Sequence, residues 1–112
     1  MTFWIAITAL AFATPVLADP PIMPVYAVKA DATGITFRLP PLGTGRCTPS
    51  RAFLTIAVDK RTDGGALVLV TPRGEPECRS AGGPGEVRWT YEELGLKPAQ
   101  PFVLGNPLVS EP

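Results

Sequence analysis

Cys78-Arg79-Ser80 is the segment of this chain whose residue types could support chemistry. The only other cysteine is Cys47, so the pairing of the two thiols is forced. A redox-active pair normally has close spacing such as C-x-x-C, which is absent, and an even number of cysteines in an exported chain favours an internal bridge. We therefore predict a structural disulfide between Cys47 and Cys78. In the chain-entropy view such a bridge stabilises the fold by roughly 3–4 kcal/mol.

A basic residue directly after a bridged cysteine suggests one specific activity. Several unrelated inhibitors of trypsin-like proteases present such a residue in a loop that a disulfide holds rigid, which lowers the entropy cost of binding. Arg79 and Ser80 are thus a candidate partner-binding loop. The simpler interpretation is an ordinary exposed arginine.

The absence of histidine disfavours an enzyme. Without it, the chain cannot build a Ser-His-Asp or Cys-His site or a histidine-based zinc site. A Ser-Lys arrangement is possible in principle, although no motif supports it; its members would come from Ser50, Ser80, Lys29, Lys60 and Lys97. Glu92 and Glu93 are neighbours on a predicted helical turn and point apart, and Glu75 and Glu77 lie in a Gly- and Pro-rich loop. Both carboxylate pairs are therefore better interpreted as solvated surface charge. We predict no catalytic residue, no cofactor and no metal site, and hence a non-enzymatic protein.

The amino-terminal segment determines the expected compartment. Residues Met1 to Ala18 contain no charge, are almost wholly apolar from Phe3 to Ala13, and end in small or medium residues after Pro15. This pattern is typical of a secretory signal peptide with a cleavage site after Ala18. We therefore expect a signal peptide over 1–18, a single domain over 19–112, and an extracytoplasmic location, periplasmic or secreted, with no membrane attachment after cleavage.

Composition limits the partners. Ten basic and ten acidic residues give a formal net charge of zero and form no block of one sign. Nucleic-acid binding therefore lacks its electrostatic footprint, and so does binding to anionic lipid. An unknown protein is the partner class that remains.

Short apolar runs separated by Gly, Pro and Asp predict an all-β chain. Ala52–Val58 is apolar on both faces apart from Thr55 and is predicted to be a central strand, joined to Ala66–Val70 by a hairpin turn ending in Asp-Gly-Gly. One helical turn is expected over Glu92–Leu96, and Asn106–Pro112 is expected to trail off. The other predicted strands are Val25–Ala30, Ile35–Leu39, Glu86–Tyr91 and Phe102–Leu104.

Two segments resemble fibronectin type III domains. Thr33–Pro41 resembles that family's second strand with the prolines after it, and Gly95–Phe102 resembles the corner in which a Leu-x-Pro sequence precedes a buried aromatic residue. The resemblance implies a small sandwich of two sheets, with about six or seven strands here. It implies little about function, because such sandwiches host many roles.

Together these features predict an exported, non-enzymatic binding or accessory module that contacts another macromolecule. If Phe102–Leu104 lies at a sheet edge, its backbone groups are available to a strand of the partner. The alternative is an inhibitor of trypsin-like proteases that acts through the Cys78-Arg79-Ser80 loop.

Overall fold

The computed structural model of the chain describes residues 22–74, 76, 78 and 80–111. The predicted signal peptide and Arg79 lie outside the described residues. The described part contains six strands, one short 3-10 turn and one short helix. Within it, no helix is long and apolar enough to cross a bilayer.

The strands form one antiparallel sheet and one mixed sheet, each of three strands, which confirms the predicted two-sheet all-β fold. The first sheet has the order β1-β2-β5, with antiparallel pairing throughout. The second has the order β3-β4-β6, in which β3 and β4 form an antiparallel hairpin and β6 runs parallel to β4. The strands are β1 (Ala27–Ala30), β2 (Gly34–Leu39), β3 (Leu54–Lys60), β4 (Ala66–Pro72), β5 (Gly85–Thr90) and β6 (Phe102–Leu104).

The prediction that Ala52–Val58 forms a central strand is wrong. The hairpin with β4 is present as predicted, but β3 has a neighbour on one side only and lies at the edge of its sheet. β4 is the central strand instead, because β6 returns from the first sheet and pairs on its other side. An apolar sequence identifies a strand with two covered faces, and it carries no information about how many neighbours that strand has.

The expectation that the chain trails off from Asn106 onward is also wrong. Asn106 is buried, with 5% of its surface exposed, and Leu108 forms a parallel bridge with Val25. Backbone hydrogen bonds fix this pairing, from the Val25 N–H to the Pro107 carbonyl at 2.9 Å and from the Val109 N–H to the Val25 carbonyl at 3.0 Å. The two ends of the described chain are thereby joined along one side of the fold.

The core is built from the inward-facing residues of both sheets, as the alternation of β2 and β5 predicts. Every inward-facing side chain of these two strands is buried, and so is Tyr91 directly after β5. From the second sheet, alternate residues of β4 enter the same cluster. The members with no more than 5% exposure in the two sheets are Ile35, Phe37, Leu39, Leu54, Ala66, Val68, Val70, Val87 and Trp89.

A capping box starts the short helix α1 (Tyr91–Leu94) directly after β5. The Thr90 hydroxyl accepts from the Glu93 N–H at 3.1 Å, and the Glu93 carboxylate accepts from the Thr90 N–H at 3.0 Å. Gly95 ends the helix in the left-handed conformation, at φ 70°, which a glycine adopts without steric cost. The predicted helical turn over Glu92–Leu96 therefore begins one residue early and ends at Leu94.

Glu93 makes the stability of the fold sensitive to acid. Hydrogen bonds from the Arg51 guanidinium, and then from the Thr90 backbone, lower the pKa of its carboxyl from an ordinary 4.5 to about 2. Because the folded-state pKa is the lower one, this contribution is complete above pH 4.5 and is lost as the pH falls toward 2. We expect Glu93→Gln to flatten the fall of the melting temperature across that interval.

A melting series at several pH values with Glu92→Gln as the control tests this expectation. Glu92 is the exposed neighbour on the same turn and has no ion-pair partner within the described residues. Equal acid sensitivity of the wild type and Glu93→Gln would contradict it. Asp31, whose pKa is lowered by hydrogen bonds from Arg88, adds to the same acid dependence in both proteins.

Candidate functional site

A small turn over Leu42–Cys47 positions the first cysteine of the disulfide. Leu42 and Cys47 face each other through two backbone hydrogen bonds of 2.8 and 2.7 Å, which close a tight loop over residues 43–46. Cys47 is buried at 7% exposure and bonds to Cys78, with the two Cα atoms 5.9 Å apart. The predicted disulfide is therefore confirmed, and it ties the connection after β2 to the connection between β4 and β5.

Residues on the carboxyl side of Cys78 are packed against this turn. The Gly82 N–H donates to the Arg46 carbonyl at 2.7 Å. A Cβ atom at Gly82 would meet the Thr48 Oγ1 at 2.2 Å and the Thr48 N at 2.6 Å, so only glycine permits this approach. Ser80 lies just outside the packed region and is exposed. Of the candidate loop, the structure thus places Cys78 and Ser80, while Arg79 lies outside the described residues.

Removing the disulfide should lower the free energy of unfolding by roughly 2–5 kcal/mol, because the bridge closes a long loop in the unfolded chain. The closed loop has a sequence separation of 31 residues. Urea unfolding of Cys47→Ser, compared with the oxidised wild type, measures the difference. Two free thiols found by mass spectrometry in wild-type protein kept under oxidising conditions would contradict the bridge itself. The double variant with Cys78→Ser controls for the unpaired thiol that the single variant leaves.

The predicted strand Phe102–Leu104 lies at the outer edge of the second sheet. The bonds from the Ala66 N–H to the Pro101 carbonyl and from the Gly105 N–H to the Val68 carbonyl fix which backbone groups face β4. In a parallel ladder with that pattern, Val103 directs both of its backbone groups toward β4. Phe102 and Leu104 therefore direct their N–H and C=O groups outward, and no hydrogen bond joins these groups to the rest of the described chain.

A shallow cleft of about 160 Å³ lies at the beginning of this edge. Arg61 and Asp63 from the β3–β4 turn line one side, and Pro101 to Val103 line the other. The Val103 side chain is 53% exposed on the outer face of the sheet. Unpaired backbone groups, an exposed apolar side chain and a cleft with both charges are thus adjacent in space, although sequence reasoning identified only the strand.

A second polar cluster fastens the β1–β2 turn to β5. The Arg88 guanidinium donates to both carboxylate oxygens of Asp31, at 2.7 and 2.8 Å, and the Tyr91 hydroxyl donates to the Asp31 carbonyl at 2.7 Å. The same carboxylate accepts from the N–H groups of Thr33 and Gly34. Groups of the chain itself thus occupy the Asp31 carboxylate, and we interpret the cluster as structural: it holds the β1–β2 turn against β5.

Candidate groups for catalysis are not brought together. Ser50 and Ser80 are both exposed, as are the lysines Lys29, Lys60 and Lys97, and no hydrogen bond joins a serine to a lysine in the described part of the chain. Glu93 is engaged in the capping box and by Arg51. Among the described residues, no three His, Cys, Asp or Glu side chains are grouped as a metal site would require.

Comparison with protein-family models, with curated proteins and with solved structures gave no match, so the proposals below rest on the residues and geometry of this chain alone.

Proposed function

We propose that this chain is an exported, non-enzymatic binding module that takes up an extended segment of a partner protein along the free edge of β6. The single observation that carries the proposal is the outward direction of the backbone groups of Phe102 and Leu104. A strand added there would gain main-chain hydrogen bonds, which give affinity in this mode of recognition.

The cleft beside β6 offers a source of selectivity. In strand addition, the side chains of the added strand supply specificity through pockets at alternate positions. Arg61 and Asp63 present one charge of each sign at the cleft, next to the apolar wall formed by Phe102 and Val103. A partner segment with a polar side chain flanked by apolar ones suits this lining.

The proposed location outside the cytoplasm is supported by the apolar segment Met1–Ala18 and by the disulfide, because disulfides persist in oxidising compartments. N-terminal sequencing of the exported protein should find Asp19 as the first residue. Intact Met1 on a membrane-bound protein would overturn this part of the proposal.

Inhibition of a trypsin-like protease through Arg79 is the second candidate. It is favoured by the disulfide and the Gly82–Arg46 hydrogen bond, which hold the segment that follows Arg79 against the turn at residues 43–46. Titration of trypsin with the oxidised protein tests it, and Arg79→Ala should abolish any inhibition. The candidate is removed if micromolar protein leaves trypsin active or is rapidly cleaved after Arg79.

The β6 proposal is tested by recovering partners of the tagged, exported protein with three matched variants. Leu104→Pro removes one outward N–H while leaving the ladder to β4 intact, and should lose the partner. Leu104→Ala keeps that N–H and controls for the lost side chain, so it should retain the partner. Val58→Pro makes the same backbone change at the opposite edge of the sheet and should also retain it.

Far-UV circular dichroism and a melting curve establish that each variant is folded. The proposal fails if folded Leu104→Pro recovers the same partner as the wild type. It also fails if Val58→Pro loses that partner equally, because the effect would then not depend on the β6 edge.

A further inference from the structure

β3 combines the side chains of a central strand with the position of an edge strand. Its first five residues, Leu54–Val58, carry no charge. Leu54 is buried, and Ile56 and Val58 are half-buried against the core, while Thr55 and Ala57 lie exposed on the outer face. Natural edge strands are usually protected by charge, proline or short length, because a bare edge recruits other strands.

The backbone of β3 is open on the side away from β4. The bonds from the Arg73 N–H to the Phe53 carbonyl and from the Arg61 N–H to the Gly65 carbonyl place the odd-numbered residues in hydrogen-bonded pairs with β4. Ile56, Val58 and Lys60 therefore direct their N–H and C=O groups outward. In the described chain these groups have no hydrogen-bond partner.

The other long edge of the fold is protected in the usual way. On β5 the outward-directed residues include Glu86 and Arg88, which form ion pairs with Arg38 and Asp31. The N–H of Thr90, at the end of that strand, is bound by the Glu93 carboxylate. Over Leu54–Val58, β3 lacks such protection, since its charged residues Asp59 and Lys60 come only at the end of the strand.

We infer that β3 pairs antiparallel with β3 of a second copy of this chain, about a two-fold axis at Ala57. The two second sheets would then form one continuous sheet of six strands, with a β6 edge at each end. This inference does not depend on the proposed use of β6, which lies on the far side of the same sheet.

Side-chain matching selects this register. With the axis at Ala57, Ile56 lies opposite Val58 of the partner copy on the core side, and Thr55 lies opposite Asp59 on the outer side. The Asp59 carboxylate, which has no partner within the described residues, then accepts from a threonine hydroxyl. Shifting the axis to Val58 would place Asp59 opposite Ala57, and shifting it to Ile56 would place Asp59 opposite Phe53, so neither gives the carboxylate a polar partner. With the axis at Ala57, the aliphatic stem of Lys60 lies opposite Leu54.

The small side chain of Ala57 also suits the axis. In this register the two Ala57 residues form a non-hydrogen-bonded pair, in which Cα atoms approach to about 4.5 Å. That spacing is compatible with a disulfide. Thr55 of one copy lies far from Thr55 of the other copy, and the same holds for Asp59. Thr55 of one copy instead lies directly opposite Asp59 of the other.

Cysteine cross-linking of the exported full chain tests both the partner and the register. Ala57→Cys should run mainly as a covalent dimer on a non-reducing gel, with the Cys47–Cys78 bridge intact by peptide mapping. Thr55→Cys and Asp59→Cys should each remain monomeric on that gel, whereas a mixture of the two should give the covalent dimer. The unmodified protein should show twice the chain mass by light scattering at micromolar concentration.

The inference is overturned if the unmodified protein has the mass of one chain under those conditions. Equal cross-linking of all three single variants would also overturn it, because it would indicate random collision rather than one register. Val58→Pro supplies an independent readout: it should halve the mass of the folded protein, whereas Leu104→Pro should leave the mass unchanged. A folded Val58→Pro that stays dimeric contradicts pairing through β3.

Discussion

Replacing Asn106 with alanine should lower the free energy of unfolding by roughly 3–6 kcal/mol, since each buried polar group left unpaired costs about 1–3 kcal/mol. The Asn106 Nδ2 group donates to the Val70 carbonyl at 2.7 Å and to the Met23 carbonyl at 2.6 Å. Its Oδ1 accepts from the Val70 N–H at 2.8 Å. Alanine removes all three hydrogen bonds and supplies no substitute.

The position of Asn106 in the sheet explains the size of this effect. β6 pairs with β4 only as far as Val68, where the Gly105 N–H makes the last backbone bond. The next inward-facing residue on β4 is Val70, which is completely buried and which β6 does not reach. The Asn106 amide therefore replaces a strand at this point and also joins β4 to the amino-terminal segment.

Urea unfolding measures the loss, with Leu108→Ala as a control from the same segment. Leu108 is 62% exposed, so its truncation should change stability little. Hydrogen exchange adds a local measurement, because the Val70 amide should be protected in the wild type and should exchange faster in the variant. A stability loss no greater than that of Leu108→Ala would contradict the assigned role.

The role of Asn106 could not be inferred from the sequence. An asparagine between Gly105 and Pro107 is what an ordinary turn contains, and its partners are 36 and 83 residues away along the chain. In contrast, the core-facing residues of β2 and β5 could be predicted directly, because every second side chain of a strand points to the same face and the apolar residues alternate in this way. Burial of Phe37, Val87 and Trp89 was predictable for that reason.

Which strands lie at the edges of the sheets was harder to predict from the sequence. Alternation specifies which face of a strand is covered, whereas strand order depends on where distant segments return. Phe102–Leu104 is correctly predicted as a strand, but its edge position and its parallel pairing with β4 have no local signal. For β3 the apolar pattern indicates a covered face and leaves the number of neighbours open, so its place at the edge of the sheet could not be predicted. The bare backbone edge that results is a surface to which another strand can add.

Replacing Trp89 with alanine should lower the free energy of unfolding by roughly 3–5 kcal/mol, the usual cost of emptying a buried aromatic site. Trp89 is 5% exposed and meets Phe37 edge to face, with 5.7 Å between ring centroids and an angle of 71°. The Arg51 guanidinium lies 5.4 Å from the centroid of the Trp89 ring and covers it from outside. The ring is therefore packed from within the core and from the surface.

Two further variants separate these contacts. Trp89→Phe retains an aromatic ring against Phe37 and should lose less stability than alanine. Arg51→Ala removes the cation above the ring, worth about 0.5–1 kcal/mol at an exposed site, and also the ion pair with Glu93. Circular dichroism in urea allows all three variants to be compared with the wild type, including the two that lack the Trp89 indole.

Fluorescence of wild-type protein that starts at Asp19 gives the independent test, because Trp89 is then its only tryptophan. Burial of the indole predicts blue-shifted emission that iodide quenches poorly until the protein unfolds. Strong quenching in the folded state would instead place the ring at the surface, where it could stack against a ligand. In that case Trp89→Ala should leave stability nearly unchanged, so the two measurements must agree for the core assignment to stand.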